Sequence, residues 1–267
     1  KTLGIFKNHG YNFEVIPSES PKLTKAIPLK EMGRFRHEGV AFDLENGNVY
    51  QTEDRYKGLF YRFIPNEKKN LIKGGKLQAL SFQDWRGIDT SNWDNENIVI
   101  GKKYRVKWID LDNVDSHRDD LRIRGRAKGG ATFTRGEGIF YSNGVTVFTA
   151  TNGGRNKAGQ IWKYTQNKFD DNGVIELLYE SQDTDVLNLP DNIIIAPNGD
   201  ILLCEDNRGR DRIVGIKSNG RIYYLASNAL NNSEFAGLTF SPNGEILFVN
   251  IYDPTYTLAI KGPWDLL

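Results

Sequence analysis

At 267 residues the chain is long enough to bury a substantial core, as one large domain or two smaller ones. Its 35 Lys and Arg are balanced by 34 Asp and Glu, so there is no overall basic field and no nucleic-acid partner is expected. The one cysteine, Cys204, excludes an internal disulfide and a cysteine-only zinc site, and no apolar run reaches the roughly 18 residues that a membrane span needs.

Aromatic residues make up 12% of the chain, and 27 Gly accompany a single Met, which suits short twisted strands and tight turns better than helix packing. Residues 1–37 read as outer strands of a blade whose inner strands are not present. A first hairpin follows: apolar residues 38–43, the turn Glu45-Asn46-Gly47-Asn48, and residues 49–54. Residues 66–130, with Trp85, Trp93 and the acidic stretch 110–120, read as inserted loops. The same hairpin pattern then returns three times, around Asn143-Gly144, Asn198-Gly199 and Asn243-Gly244. Asn-Gly between two apolar runs is the strongest short hairpin signal, because both residues tolerate the positive φ of a tight turn. Further strand-like stretches such as Gly58-Leu59-Phe60-Tyr61-Arg62-Phe63, Gln160-Ile161-Trp162-Lys163-Tyr164 and Arg212-Ile213-Val214-Gly215-Ile216 supply outer strands. The fold class expected is all-β: a single β-propeller domain over 1–267, with about four four-stranded blades and part of another.

In a propeller the inner strands end near one axis. Glu38, Glu53, Asp54, Glu137, Asn152, Asp191, Asn192, Glu205, Asp206 and Asn207 all stand at such ends, and all are oxygen donors. Calcium takes six to eight oxygen ligands from carboxylates and amides, and carboxylates crowded in a partly dry channel need a cation between them. Asx residues beside strand ends also serve as turn formers, but the turns here have their own Asn-Gly, and the recurrence favours a site. Arg135-Gly136-Glu137-Gly138 places an arginine and a carboxylate two apart, on one side of a strand. Arginine's planar fork suits phosphate, and flanking glycines let a ligand approach the backbone. His9, His37 and His117 lack metal-ligand spacing, and Cys204 reads as a buried, inert thiol. No nucleophile-elbow, P-loop or zinc-protease motif occurs.

Eight motifs occur in order: His37-Glu38-Gly39-Val40-Ala41, Thr52-Glu53-Asp54, residues 58–63, Arg135-Gly136-Glu137-Gly138, Ala150-Thr151-Asn152-Gly153-Gly154, Pro190-Asp191-Asn192, Cys204-Glu205-Asp206 and Ser233-Glu234-Phe235-Ala236-Gly237. In these, and in Gly262-Pro263-Trp264, the chain resembles the PhoX-type bacterial alkaline phosphatases. The resemblance implies a six-bladed propeller when complete, a periplasmic or extracellular location, and hydrolysis of phosphate monoesters at a mixed calcium and iron centre. It implies iron ligands at Glu38 and Glu137. Further metal ligands fall at Glu53 or Asp54 and at the Asp191-Asn192 and Glu205-Asp206 pairs. Arg135 becomes the phosphate clamp and, with Glu137, the catalytic pair. The family also carries a cysteine-containing glycine-rich segment and a Cys-Glu-Glu motif ahead of this region, with no counterpart before Lys1. The chain is therefore expected to be the C-terminal part of a longer enzyme, completed by that segment or another chain, or a shortened relative without the iron site. On its own it is expected to expose a sheet edge and be poorly soluble. Two other readings stay open: a calcium-dependent propeller lactonase or esterase, which has little use for an arginine clamp, and a non-catalytic metal-binding propeller.

Overall fold

All four expected hairpins form. The computed structural model describes residues 8–167, 170, 172–207 and 209–264. The first blade comprises β1 (His37–Phe42), β2 (Val49–Glu53), β3 (Gly58–Pro65) and β4 (Gly75–Phe82), extended by β5 (Lys103–Asp110). A short helix, α1 (Leu121–Lys128), and a two-residue strand, β6 (Thr132–Phe133), lead to the second blade: β7 (Gly136–Ser142), β8 (Val145–Ala150), β9 (Gln160–Gln166) and β10 (Gly173–Glu180). The third is β11 (Pro190–Ile195), β12 (Ile201–Glu205), β13 (Arg212–Ile216) and β14 (Ile222–Ser227). The fourth is β15 (Phe235–Phe240), β16 (Ile246–Ile251) and β17 (Tyr256–Lys261). Every pairing within the blades is antiparallel, and the first two blades join at their outer edges through β5 and β10. The protein is an all-β propeller of four blades among the described residues.

Turn chemistry departs from the expectation in detail. At Asn143 (φ 48°) and Gly144 (φ 80°) both residues take positive φ, the two-residue type I′ turn. In the other three turns Gly47, Gly199 and Gly244 take positive φ without the preceding Asn. Those loops are longer and close on backbone bonds such as Gly199 N to Ala196 O at 2.9 Å, so of each Asn-Gly pair only the glycine must be left-handed.

Two stretches differ from the sequence reading. Residues 66–130 hold β4, β5 and α1 among their loops, because Leu77, Ala79 and residues 80–82 bury one strand and Tyr104, Val106 and Trp108 alternate along the next. The described residues of 8–36 make an isolated bridge, Phe13 to Pro28, and a single 3-10 turn, with no strand. Pro17, Pro21 and Pro28 lie in that stretch, and proline cannot donate to a ladder. Its apolar residues Leu29, Met32 and Phe35 instead cover the outer side of the first blade.

The blades are held by side chains packed between their faces. Between the first and second lie Tyr50, Phe60, Phe133, Phe148, Trp162 and Tyr164, with the Phe60 and Phe148 rings stacked 4.4 Å apart. Between the third and fourth lie Leu202, Ile213, Leu247 and Val249, capped by Trp264. Cys204 is buried in that second cluster, and burial pushes its thiol pKa well up, as an inert thiol requires.

Candidate metal centre

Each inner hairpin carries one extra residue at the same place. Between His37 and Val40 of β1 there are two residues, opposite one on β2. The same bulge separates Gly136 from Ile139, Pro190 from Ile193 and Ala236 from Thr239. The bulged pairs are Glu38-Gly39, Glu137-Gly138, Asp191-Asn192 and Gly237-Leu238. Three of the four therefore present an acid at one register, followed in the first two by a glycine whose missing side chain is required. A Cβ on Gly39 would lie 2.7 Å from the Glu137 carbonyl oxygen, and one on Gly138 would lie 2.2 Å from that of Asp191. The bulges of β1, β7 and β11 thus touch in sequence around the axis, and the Asn192 side-chain oxygen accepts from the Gly237 amide to continue the series to β15. Threonines at one register on the second strands bind the next blade: the Thr52 hydroxyl donates to the Glu137 carbonyl, and that of Thr149 to the Asp191 carbonyl at 2.9 Å.

The acids converge where these bulges meet. Oxygens of Asp191, Asp206 and Glu234 lie within 4.8 Å of one another. Glu137 lies beside Asp191 and feels its charge, and it receives the Thr151 hydroxyl at 2.9 Å, while Glu38 feels the charges of Asp191 and Asp54. Arg135 is the cation of this group: its Nε donates to Asp54 at 2.8 Å and its Nη2 to Glu137. Among the described residues, six carboxylates therefore share one guanidinium, with Arg36 approaching Asp54 from outside at 3.6 Å. Burial first and the neighbouring carboxylates second raise the pKa values of Glu38 and Asp191, push Glu137 up to about 8, and push Glu234 up to about 7. An all-oxygen set that can stay ionised at neutral pH only with added positive charge fits a hard cation such as calcium.

The sequence-predicted residues divide. Glu38, Asp54, Glu137, Asp191, Asp206 and Arg135 come together at the axis, and Asn192 borders them through Asp191 Oδ1 at 3.3 Å. Glu53 and Glu205, at one register on β2 and β12, are engaged inside their blades. Glu53 is fully buried and accepts from Tyr61 OH at 2.7 Å and Leu59 N at 3.1 Å, and burial pushes its pKa up to about 7. Glu205 is gripped twice by Arg212, both bonds at 2.6 Å. Asn152 accepts from Thr134 at 2.8 Å, and Asn207 caps its own loop through Gly209 N. His37 stacks on Phe35, donates Nε2–H to Gly33 O at 3.1 Å, and is held neutral by burial, which pushes its pKa down to about 4. Sequence reasoning placed Glu234 in a motif but gave it no role at the site, since it precedes β15 outside the hairpin pattern. It also missed Arg36, although Arg36-His37-Glu38-Gly39 repeats the spacing of Arg135-Gly136-Glu137-Gly138 at the same register.

A sequence model described as alkaline phosphatase PhoX matches residues 2–255. The chain belongs to the PhoX alkaline phosphatase family. No individual curated protein matches it. Among solved structures, a calcium-binding regucalcin from Agrobacterium tumefaciens aligns with 12% identity and a TM-score of 0.43, over 89% of this chain and 57% of that one. Virginiamycin B lyase from Staphylococcus aureus aligns with 14% identity and a TM-score of 0.36, over 88% and 71%. Neither likeness is close enough to transfer a function, and the chain spans little more than half of the regucalcin it matches. Membership of the PhoX family makes the chain a relative of alkaline phosphatases, and no helix among its described residues is long and apolar enough to cross a membrane.

Proposed function

We propose that this PhoX-family chain hydrolyses phosphate monoesters at the axial acid cluster, with Arg135 gripping the phosphoryl group. The observation that carries this reading is the arrangement, among the described residues, of six carboxylates around Arg135, which suits a cation centre with a built-in anion clamp. Asp191, Asp206 and Glu234 are proposed as calcium ligands, with Asp54 and Asn192 bordering them. Glu38 and Glu137 are proposed for iron, the second metal that the family resemblance implies. Bound there, the cations would polarise the phosphoryl oxygens and neutralise charge developing in the transition state.

The chain's own residues supply the rest. Asp54 on Nε and Glu137 on Nη2 fix the plane of the Arg135 fork, leaving Nη1 without a partner among the described residues. A phosphate oxygen can take that donor without first breaking an ion pair, and a planar fork stabilises equatorial oxygens better than a point charge. Thr151 holds Glu137 in place, so the acid stays beside both the arginine and Asp191. A periplasmic or extracellular location belongs to the same proposal.

The test combines elemental analysis of the protein with release of phosphate from phenyl phosphate. Bound calcium or iron, phosphate release, and its loss in Arg135→Ala support the reading. Hydrolysis of a lactone that survives Arg135→Ala, without phosphate release, contradicts it.

A further inference from the structure

Beside Asp54 lies a second concavity, of about 430 Å³, large enough for a small organic ligand. Among the described residues, four arginines line it, Arg34, Arg36, Arg55 and Arg118, against one acid, Asp119. Asp119 is itself shared between Arg55 at 2.7 Å and Arg122 at 2.6 Å. Arg34 is anchored by the neutral carbonyls of His9 and Ser116, and Asp115 behind it is paired with Lys30 at 3.1 Å. Arg55 Nε is buried with no hydrogen-bond partner, and the exposed Arg118 side chain has neither a hydrogen bond nor an ion pair among the described residues. Arg55 and Arg36 are each held by one acid, but Arg34 and Arg118 face the concavity without an ion pair among the described residues, and such donors make a site for an anion. Tyr11 and Phe35 add apolar wall, which a simple inorganic ion does not need.

The concavity is coupled to the axis. Asp54 bridges the two, with Arg135 Nε on one oxygen at 2.8 Å and Arg36 Nη1 on the other at 3.6 Å. The Arg135 amide donates to the Arg55 carbonyl at 2.9 Å, so the clamp and the concavity share backbone as well. Arg36 occupies the register of Arg135 in the neighbouring blade, one carboxylate away.

We propose that this arginine-lined concavity binds a second phosphate on the alcohol part of the substrate, so that the chain prefers small esters carrying two phosphate groups. The inference rests on the phosphatase reading for the reaction, but the concavity can be tested without it. The probes are fructose 1,6-bisphosphate and phenyl phosphate, of which only the first carries a second phosphate. In Arg118→Ala the ratio of kcat/KM for the bisphosphate to that for phenyl phosphate is expected to fall about tenfold, the worth of one charge-assisted bond. Arg118→Glu should lower it further. Arg118 is exposed, and among the described residues only its backbone amide makes a hydrogen bond, to Ser116 Oγ, so thermal melting of the variants should match the parent protein. A ratio unchanged in both variants overturns the proposal. If phenyl phosphate is not hydrolysed at all, the phosphatase reading fails and the concavity is judged by calorimetry with the bisphosphate. Binding weakened about tenfold by Arg118→Ala then supports the site, and equal binding to both proteins overturns it.

Discussion

Arg135 stands at φ 51°, in the left-handed region that residues with side chains rarely adopt. Two backbone bonds hold it there, its amide to Arg55 O and its carbonyl from Thr151 N, both 2.9 Å. Strain kept at a charged side chain in a carboxylate nest is the kind that persists where geometry matters for function. Arg135→Ala is therefore expected to lower kcat for phosphate monoesters by about 10²–10³, the usual worth of one transition-state donor. Arg135→Lys should recover little of it, because an ammonium cannot keep Asp54, Glu137 and a phosphate oxygen in one plane. The acids can be sorted in the same way. Asp206→Asn should lose bound metal on elemental analysis, whereas Glu53→Gln should retain it, since an amide oxygen can still accept from Tyr61 and Leu59. At this scale the sequence made most of the cluster legible, because acids at strand ends recur. Glu53 and Glu205 were indistinguishable from Asp54 and Asp206 in sequence, yet alternation sends the first of each pair into the blade and the second to the axis. Glu234 has no repeat partner to mark it, while the repeated Arg-x-Glu-Gly that marks Arg36 was there to be read.

Hairpins were legible because alternation and Asn-Gly turns are local signals. The bulges were not, since one extra residue leaves no mark except the acid-glycine pair that it displays. β4 and β5 were hidden for a related reason: about twenty loop residues, not a tight turn, separate them. The two kinds of glycine make a clean comparison. Gly144 sits at φ 80° with nothing within 4 Å of an added Cβ, so Gly144→Ala should cost about 1–2 kcal/mol of left-handed strain and leave the site intact. At Gly138, by contrast, an added Cβ meets the Asp191 carbonyl at 2.2 Å. Gly138→Ala should force β7 from β11, cost about 1–3 kcal/mol in denaturant melts, and weaken metal binding as well. Equal metal affinity in the two variants would contradict the role given to the bulge.

Across the whole molecule, a near-neutral chain gathers negative charge onto its axis and positive charge into the neighbouring concavity. The axial charge sets a pH dependence. Glu137 and Glu234 have folded pKa values of about 8 and about 7, above the ordinary carboxylate value, so the metal-free fold binds protons that the unfolded chain has already lost. The stability they contribute is fully present below pH 4.5 or so and is lost as the pH rises through 7 to 8. Melting temperature of the chelated protein should therefore fall between pH 5 and pH 8, and added calcium should remove that slope. The propeller class, its four hairpins and the family were all readable from the sequence, since each rests on repeated local pattern. The way successive blades touch through Gly39 and Gly138 was not, because it is set by tertiary packing alone.

The most direct measurement is phosphate release from phenyl phosphate by the protein as purified, after chelation, and after calcium is returned. The account predicts turnover that chelation abolishes and that calcium, with iron where iron is also lost, restores. Turnover indifferent to chelation, or none in protein shown to be fully metal-loaded, would contradict it.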